Sequence, residues 1–553
     1  MSQPTRYTKE MFDEYYSNGF WTKDTTASLW DKNARLYPEK AAYISPDGSQ
    51  LSWSEVKKLS DQLAFQIRKL GVKKDDFIFM LLPNCVESYI FRVACEKAGV
   101  LCGTALMTLR EWEIEQMLSR FEGVAIAIPI EFRKFGYYDA VAEIKTRLPK
   151  LKHIMVLGDQ IPEGTLSINA MMHTPIEKKQ PIDFSDTAFT ADEVSVIGFT
   201  SGTTGLPKGA EHTQVQRIYM AHRQAEAIKL TADDMVLNII SAVAGLSSIV
   251  CYNGSNALYG TTSIVQSRWS VESTLELLEK YRVTVLLAVP AQLAKIANAP
   301  ELDKYDLRSL RCVYTSTAPL PHALAKEIEE KLGCIIVNLY GQFDGGLISI
   351  TSVDTTEYAR YNTVGKPVKG MTVKIVDDDS NEVPTDQLGE IIYTGPGITA
   401  GYYLEPDFTE NATYTIDGRK YIKSGDIGKV DADGNIYLVS RKKDVIIRGG
   451  QNVYPAEIEG YLLMHPKVVS AAVIPMPDPV MGEKACAYVA LQPGAEFSFE
   501  EMKELFDSKK IAPYKIPERL EIRKELPMRG HQKVTKKELQ QELEAMMRQE
   551  AKQ

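Results

Sequence analysis

Cysteine is scarce in this sequence, and the few cysteines show no pairing pattern. Seven occur in 553 residues, an odd number, and no two of them form a C-x-x-C pair. This distribution argues against a disulfide framework and against a cysteine-ligated metal site. We therefore expect free thiols in a reducing, cytoplasmic environment.

Long apolar runs and basic blocks are absent as well. No stretch of eighteen consecutive apolar residues occurs, and residues 1–16 are polar and charged rather than signal-like. Lysine and arginine number 64 and aspartate and glutamate 73, which gives a net charge of 64 − 73 = −9. We therefore expect neither a membrane nor a nucleic acid as the main partner.

Internal repeats and low-complexity tracts are also missing, so the sequence does not indicate a repeat array or a disordered linker. What remains is a globular composition, with 44% hydrophobic and 25% charged residues. A chain of 553 residues is too long for one hydrophobic core. The length therefore predicts two or more domains.

The most distinctive stretch is Thr200–Gly209, which reads TSGTTGLPKG. Its glycines allow a tight turn that brings backbone N–H groups close to a ligand. Its hydroxyls and its lysine add hydrogen-bond donors and a positive charge, which suit a polyphosphate. It is not a Walker loop, because Lys208 is followed by Gly209 rather than by serine or threonine. For a Gly/Thr run taken alone, a flexible surface loop is the alternative.

Helix and strand patterns alternate in the first 350 residues, which predicts α/β layering. Residues 52–70 are predicted to be helical, because Ser52 and Glu55 form a capping box before apolar residues at helical spacing. Further along, the segments Ser316–Leu320 and Tyr340–Gly346 each follow a short apolar strand. Because ligands bind at the carboxyl ends of parallel strands, both segments are predicted to face a site. Ordinary strand-to-helix turns are the alternative.

The last third of the chain changes character. Residues 370–440 contain short Val/Ile strands separated by Asp, Gly and Pro, which predicts a β-rich subdomain. Strand-like segments at 468–474 and 485–491 and an acidic helix near 498–508 follow, which predicts a small α+β domain. We place the boundary between the two at 440–444.

Five segments resemble, in order, the signature motifs of the adenylate-forming (ANL) superfamily, of the acyl- and aryl-CoA synthetase type. They are Thr200–Gly209, Ser316–Leu320, Tyr340–Asp344, Lys423–Gly428 with Arg441, and Leu526–Lys533. The resemblance implies an α/β fold with a large N-terminal domain of layered α/β sheets and a β-rich subdomain, plus a small mobile α+β C-terminal domain. It implies an N-terminal domain at 1–440, a hinge at 441–444 and a C-terminal domain at 445–553.

The resemblance also implies the reaction and its cofactors, which are ATP, Mg²⁺ and CoA. A carboxylate attacks the α-phosphorus of ATP, pyrophosphate leaves, and the acyl-adenylate passes its acyl group to a thiol. The implied nucleotide contacts are Thr200, Ser201, Gly202, Thr203, Thr204, Gly205 and Lys208 at the phosphates, Ser316, Thr317, Ala318, Tyr340, Gly341, Gln342 and Phe343 around the adenine and α-phosphate, and Asp426 with Arg441 at the ribose. The other implied roles are Asp344 for Mg²⁺, Lys533 as the catalytic lysine, Lys443 as the hinge residue, and Arg448, Gly449 and Gly450 along the CoA path.

Four residues depart from the superfamily pattern. Phe343 stands where threonine is usual, and Asp344 is one methylene shorter than the usual glutamate. In the terminal segment, Arg529 replaces threonine and Gln532 replaces glycine, while Lys533 keeps its place. These departures bear on rate, metal geometry and substrate more than on reaction type.

The acyl pocket is expected near Ser241–Gly245 and around Ser316 and Gly341. The residues there are Ser241, Ala242, Val243, Gly245 and Gly341, a small and mostly apolar row. Apart from Ser241, no side chain in it can pair with a substrate hydroxyl or a second carboxylate. The pattern favours an aromatic, alicyclic or medium-chain carboxylic acid.

Three other functions remain open. A stand-alone adenylation enzyme that loads the phosphopantetheine of a carrier protein has the same motifs, and so does a luciferase-like oxygenase. A degenerate module that binds nucleotide or CoA without turnover is favoured by Phe343, Arg529 and Gln532 and opposed by Lys533 and Asp426. We expect a monomer or a homodimer.

Overall fold

The computed structural model describes residues 2–176, 183–200, 208–240, 256–316, 320, 322–529 and 533–550. The helices in these ranges are α1 Lys9–Ser17, α2 Thr26–Leu36, α3 Trp53–Lys69, α4 Val86–Ala98, α5 Glu111–Arg120, α6 Tyr137–Arg147, α7 Ile168–His173, α8 Gln214–Ala227, α9 Asn256–Tyr259, α10 Val271–Lys280, α11 Pro290–Ala297, α12 His322–Leu332, α13 Glu357–Asn362, α14 Pro406–Asn411, α15 Pro455–Leu463, α16 Phe499–Ser508 and α17 Lys536–Glu550. None of these helices is both long enough and apolar enough to cross a membrane.

The strands fall into several sheets. In chain order they are β1 Ala41–Ile44, β2 Gln50–Ser52, β3 Phe77–Met80, β4 Leu101–Thr104, β5 Ala125–Pro129, β6 Glu131–Phe132, β7 Phe135–Gly136, β8 His153–Leu157, β9 Leu166–Ser167, β10 Val194–Thr200, β11 Lys208–Thr213, β12 Met235–Asn238, β13 Thr262–Val265, β14 Val285–Leu287, β15 Cys312–Thr315, β16 Ile335–Gln342, β17 Gly346–Ile350, β18 Lys366–Pro367, β19 Thr372–Val376, β20 Gly389–Thr394, β21 Gly401–Tyr402, β22 Thr413–Ile416, β23 Arg419–Val430, β24 Ile436–Arg441, β25 Ile446–Arg448, β26 Gln451–Val453, β27 Val468–Asp478, β28 Gly482–Leu491, β29 Arg519–Arg523, β30 Met528–Arg529 and β31 Lys533–Val534.

Two large sheets form the N-terminal part. One has the strand order β18-β17-β16-β15-β14-β12-β13-β1-β2 and the other β21-β11-β10-β4-β3-β5-β8-β9. The central pairs of both sheets are parallel, and antiparallel strands close both edges of the first sheet and the β21 edge of the second, while β9 at the other edge is parallel. Helices α4 and α8 are buried on most of their faces and share core clusters with strands of both sheets. They therefore lie between the two sheets, although both also bury polar and charged side chains.

Local sequence signals explain several of these elements. Ser52 accepts a hydrogen bond from the backbone N–H of Glu55, and the Glu55 carboxylate accepts one from the Ser52 N–H, so the predicted capping box starts α3. The predicted helix at 52–70 is thereby confirmed. The fold class is confirmed as well, because the chain combines layered α/β sheets with a β-rich region and a small α+β region.

The β-rich region and the α+β region follow one another along the chain. Strands β19, β20, β22, β23 and β24 form one antiparallel sheet. After β24 a 3₁₀ turn at Lys442–Asp444 leads to a second sheet built from β25 to β29. Helices α15, α16 and α17 pack on that second sheet and complete two small hydrophobic clusters.

The segment Thr5–Tyr7 is bound along one edge of the second large sheet. The backbone N–H and the hydroxyl of Thr5 donate to the Glu211 carboxylate, at 2.9 and 2.7 Å. Arg6 donates from Nη1 to the backbone oxygen of Thr399 at 2.7 Å and to its hydroxyl at 3.1 Å. The buried hydroxyl of Tyr7 donates to a backbone carbonyl next to Thr399, at 2.6 Å. This segment thus supports the strand edge that leads into β21.

Candidate active site

The predicted phosphate loop begins and ends on two paired strands. Thr200, the last residue of β10, aligns with Lys208, the first residue of β11. Because β10 is parallel to β4, the loop follows a carboxyl strand end, where α/β sheets bind ligands. The loop residues Ser201, Gly202, Thr203, Thr204 and Gly205 lie outside the described residues.

Lys208 is held in an aromatic setting at the start of β11. Its Nζ lies 3.2 Å from the centre of the Phe408 ring and 5.9 Å from that of Tyr402. Burial lowers the pKa of Lys208, and the nearby charges of Asp344 and Glu405 partly oppose this effect. A ligand anion at this position would likewise raise the pKa of Lys208.

The motif Tyr340–Asp344 forms the tip of a β-hairpin, which corrects the prediction that it follows the strand. β16 continues through Gln342, because Gly341 and Gln342 pair with Leu347 and Gly346 of β17. The alternative, a strand-to-helix turn, is therefore wrong for this segment. Within this hairpin, Tyr340 contacts Asp426 and Asp344 contacts Tyr402.

Asp344 is positioned by two residues that sequence reasoning missed. The hydroxyl of Tyr402 donates to Asp344 Oδ2 at 2.8 Å, and the hydroxyl of Thr399 donates to the backbone oxygen of Asp344 at 2.7 Å. Among the described residues, none donates a hydrogen bond to the other carboxylate oxygen, Asp344 Oδ1. Nothing in the spacing of Thr399 and Tyr402 indicated this contact, because both lie more than 50 positions away.

Phe343 packs against the strand that leads to the phosphate loop. A Cβ added to Gly198 of β10 would lie 2.2 Å from Cζ of Phe343 and 2.5 Å from its Cε1. The Phe343 ring also lies 5.3 Å from the buried imidazole of His212, centre to centre. Gly198 is thus the position that makes room for the unusual aromatic side chain.

Asp426 is the centre of a buried polar cluster. The hydroxyl of Tyr340 donates to Asp426 Oδ2 at 2.7 Å, Gln342 Nε2 donates to the same oxygen at 3.3 Å, and Arg441 Nε lies 2.9 Å from Oδ1. The Arg441 contact follows from strand register, since the two residues face each other across β23 and β24. Burial first, and the Asp426 charge second, raise the pKa of Tyr340, so its hydroxyl stays a donor.

A second carboxylate couples this cluster to the predicted hinge. Glu390 on β20 accepts a hydrogen bond from the backbone N–H of Gly425 at 3.2 Å, and its other oxygen lies 3.0 Å from Lys442 Nζ. Contacts with Asp378, and with Glu390 after it, raise the pKa of Lys442. Glu390 therefore holds the turn before Asp426 and the start of the 3₁₀ turn in one arrangement. The sequence motif did not include it.

The remaining predicted nucleotide and acyl residues are only partly described. Ser316 is buried directly after β15, and Gly341 lies in β16 beside a register shift. Thr317 and Ala318 lie outside the described residues, and so do the pocket residues Ser241, Ala242, Val243 and Gly245.

The predicted CoA and lysine segments are hairpins in the C-terminal part. Gly449 and Gly450, with φ of 56° and 82°, form the turn between β25 and β26, and Arg448 Nε lies 2.5 Å from Glu518. Lys533 starts β31, which pairs with Arg529 of β30. Lys443 lies exposed in the 3₁₀ turn, and Gln532 lies outside the described residues.

Metal ligation at this site has one protein candidate. In the part of the chain that the structure describes, no group of three or more His, Cys, Asp and Glu residues is arranged to hold a metal ion. Asp344 and Glu405 both lie near Lys208, but Glu405 already pairs with Arg120, which leaves Asp344 as the candidate among the described residues.

Comparisons with known proteins identify the family of the chain. The family model described as "AMP-binding enzyme" matches residues 30–403, and that described as "AMP-binding enzyme C-terminal domain" matches residues 457–533. The chain is 28% identical over 524 residues to the medium-chain fatty-acid–CoA ligase of Escherichia coli, covering 94% of this chain and 91% of that protein. It is 29% identical over 545 residues to the 2,3-dihydroxybenzoate-AMP ligase of Bacillus subtilis, covering 97% of each.

Its fold is similar to that of solved structures. The anthranilate CoA ligase AuaEII in complex with anthranoyl-AMP matches with a TM-score of 0.85 at 22% identity, over 95% of this chain and 98% of that one. Both matched family models and the sheet architecture lead to the same assignment. The chain belongs to the AMP-binding enzyme family, within the adenylate-forming superfamily.

Proposed function

We propose that the protein is an ATP- and Mg²⁺-dependent carboxylic acid:CoA ligase, which forms an acyl-adenylate with release of pyrophosphate and then transfers the acyl group to the CoA thiol. The observation that supports adenylation is the position of Lys208, Asp344 and Asp426 around the hairpin that carries Tyr340 and Asp344. The hydroxyl of Tyr340 donates to Asp426, and the hydroxyl of Tyr402 donates to Asp344. The centre of the Tyr402 ring also lies 5.9 Å from Lys208 Nζ. Positive charge, a hard oxygen ligand and a buried ribose acceptor are the groups that ATP requires.

Asp426 is proposed to accept hydrogen bonds from the ribose hydroxyls. Its two oxygens are already oriented by Tyr340 and Arg441, so the carboxylate does not need to reorganise when the nucleotide binds. Lys208 and the loop from Thr200 to Gly205 are proposed to hold the β- and γ-phosphates. Their charge and N–H donors offset the repulsion between the two anions that must approach.

Asp344 fits a magnesium site of the type that a nucleotide brings with it. A single carboxylate held by Tyr402 at Oδ2 leaves Oδ1 for the ion, and Mg²⁺ prefers oxygen ligands with phosphates and waters completing the shell. Bound Mg²⁺ would supply neutralising charge at the phosphates. Two hydroxyls hold Asp344 in place: that of Tyr402 donates to its carboxylate, and that of Thr399 donates to its backbone oxygen.

The two half-reactions are proposed to use two positions of the C-terminal domain. We take 1–440 as the N-terminal domain, 441–444 as the hinge with Lys443 as the residue that rotates, and 445–553 as the mobile domain. Lys533 would contact the carboxylate and the α-phosphate during adenylation. The turn at Gly449 and Gly450 would face the CoA arm, and a Cβ at Gly450 would meet nothing within 4 Å, so this side of the turn is open.

A second candidate is an enzyme that passes the acyl group to a carrier protein instead of free CoA. The B. subtilis relative is named as an AMP ligase, and it is as similar to this chain as the E. coli CoA ligase is. For the acid, we propose an aromatic, alicyclic or medium-chain carboxylate. The two relatives' names describe an aromatic and a medium-chain acid, which is consistent with this class.

The test begins with ATP–pyrophosphate exchange across a panel of such acids. An acid that supports exchange is then supplied with CoA and, separately, with a phosphopantetheine-bearing carrier protein. Thioester formation on CoA supports the ligase, and transfer only to the carrier supports the second candidate. Absence of exchange with every acid would contradict both.

The two positions of the domain are tested with separate half-reactions. A cation about 4 Å from an anion contributes on the order of 4 kcal/mol at an effective dielectric near 20. Even at half that value, Lys533→Ala should slow exchange by at least tenfold while leaving transfer from a supplied acyl-adenylate largely intact. Lys443→Pro should do the reverse, because proline fixes φ at the proposed hinge.

Lys537, an exposed lysine in the same tail, provides the matched control. Lys537→Ala should leave both half-reactions at the native rate. If Lys533→Ala and Lys443→Pro each slow both half-reactions equally, the two-position mechanism is wrong for this protein.

A further inference from the structure

A small cavity lies between α8 and the first large sheet, outside the residues that the motifs identify. Its volume is about 30 Å³, and its walls include Ile228 of α8, Val285 and Leu287 of β14, and Tyr314 of β15. A cavity of this size holds one or two groups the size of a water molecule. Most of the exposed wall is apolar.

The cavity lies beside the strand that leads to Ser316, because Tyr314 of β15 is one of its lining residues. Across the sheet, Ser263, Val236, Val285 and Cys312 align in one row. Ser316 follows Cys312 by four residues on the same strand and the turn after it, which is roughly 13 Å along the strand direction. Tyr314 lies halfway between the two. Because Tyr314 lines the cavity two residues before Ser316, the near wall of the cavity is roughly 7 Å from Ser316 along the strand, a distance that an aryl or medium-chain acid can span and acetate cannot.

Two polar side chains in the cavity wall lack partners. Gln224 of α8 is 2% exposed, and neither its amide oxygen nor its amide nitrogen has a hydrogen-bond partner among the described residues. Ser263 of β13 is fully buried, and its hydroxyl lacks a partner in the same part of the chain. Buried polar groups are nearly always hydrogen-bonded, because leaving them unpaired is costly. Both groups are therefore available to a hydrogen-bonding group in the cavity.

The neighbouring polar residues differ from these two. The hydroxyl of Thr261 donates to the side-chain oxygen of Asn256, so both of these groups have a partner, while Asn256 Nδ2 has none among the described residues. Gln224 and Ser263 each retain a donor and an acceptor, which match a hydroxyl or an amine. No lysine or arginine lines the cavity, so a second carboxylate would be buried without a counter-ion.

We propose that this cavity is the closed end of the acid-binding pocket, where Gln224 and Ser263 bind a neutral hydroxyl or amino group at the end of the acid remote from its carboxylate. This inference rests on the proposed function, because it assumes that a carboxylic acid occupies the pocket. The substrate class is then an aromatic or medium-chain acid with a terminal hydrogen-bonding group. A site built to bind such a group rejects the analogue that lacks it, since its polar groups stay unpaired.

Matched acids test the proposal. Exchange is measured with 4-hydroxycinnamate against cinnamate and with 8-hydroxyoctanoate against octanoate. In the native protein, kcat/KM for at least one hydroxylated acid should exceed that of its partner by tenfold or more. Gln224→Leu should bring that ratio close to one. Ser263→Ala should lower it at least threefold, and it decides the matter if Gln224→Leu does not fold.

Gln62 of α3 provides the matched control, because it is also a buried glutamine with an unpartnered amide oxygen but does not line the cavity. Gln62→Leu should keep the native ratio. The proposal is overturned if both native ratios are near one, as they would be with only water in the cavity. It is also overturned if neither Gln224→Leu nor Ser263→Ala changes the ratio.

A binding measurement separates this proposal from the proposed function. If no acid supports exchange, the same acid pairs are compared by their effect on the melting temperature of the native protein and of Gln224→Leu. Stabilisation by the hydroxylated acid alone, lost in Gln224→Leu, supports the cavity assignment even though adenylation has failed. Equal stabilisation by both members of each pair, or none, overturns it.

Discussion

The contact between Gly198 and Phe343 allows a quantitative test of how the site accommodates its unusual aromatic residue. A Cβ at position 198 would lie 2.2, 2.5 and 3.2 Å from Cζ, Cε1 and Cε2 of Phe343. Carbon atoms in contact are normally 3.5–4.0 Å apart. Gly198→Ala must therefore displace either the ring or β10, and β10 leads directly into the phosphate loop.

Overpacking of this kind costs about 1–3 kcal/mol. Expressed in kcat/KM for ATP, that is a loss of roughly 5- to 150-fold. Phe343→Thr removes the ring and with it the overlap, so Gly198→Ala should be nearly neutral in that background. The two substitutions should therefore be coupled by about 1–3 kcal/mol in a double-mutant cycle.

The assay compares the native protein, both single variants and the double variant by ATP–pyrophosphate exchange and by melting temperature. Gly460→Ala is the control, because a Cβ at this helical glycine meets nothing within 4 Å. It should leave both measurements close to native. If the effects of Gly198→Ala and Phe343→Thr add to within about 0.5 kcal/mol, the ring does not restrict position 198 and the reasoning is wrong.

Two further predictions concern residues around Asp344 and the Thr5–Tyr7 segment. Burial raises the pKa of the Glu211 carboxyl from its ordinary value of 4.5 to about 7, so its protonated form stabilises the fold below pH 4.5 and this contribution is lost as the pH rises through 7. The difference in melting temperature between the native protein and Glu211→Gln should thus decrease between about pH 5 and 8, by an amount that corresponds to about 3 kcal/mol of stability. A difference that stays constant over this range would contradict the prediction. Tyr402→Phe removes the hydroxyl that binds Asp344 and should lower kcat/KM for ATP at least tenfold at limiting Mg²⁺. Tyr361→Phe, which removes a hydroxyl bound to the remote Glu329, should have no such effect, and equal losses in both variants would refute a specific role for Tyr402.

Sequence reasoning predicted elements whose causes are local. The capping box of Ser52 and Glu55 identified α3 within a residue at each end, because helix starts depend on a few neighbouring side chains. The pairing of Asp426 with Arg441 is close to local as well, since the two strands are adjacent in the chain. The α/β layering followed from such signals, whereas the grouping of the motifs followed from their resemblance to the adenylate-forming superfamily.

The parts that sequence reasoning missed depend on partners far along the chain. β16 runs on through Gln342 because β17 pairs with it, and no propensity in the motif itself indicates that pairing. Phe343 fits because Gly198 lacks a side chain 145 positions earlier. The cavity polar groups of Gln224 and Ser263 come from a helix and a strand with no common motif. Such residues come together only in the packed, folded structure.

The binding of Arg6 to Thr399 has a consequence for how the protein is made. The two residues are 393 positions apart, and at 5–20 residues per second a ribosome needs roughly 20–80 s to synthesise the chain between them. During that interval the Thr5–Tyr7 segment has left the exit tunnel without its partners on the strand edge. The edge that orients Asp344 can therefore close only late in translation, after Thr399 has been synthesised and has emerged from the ribosome.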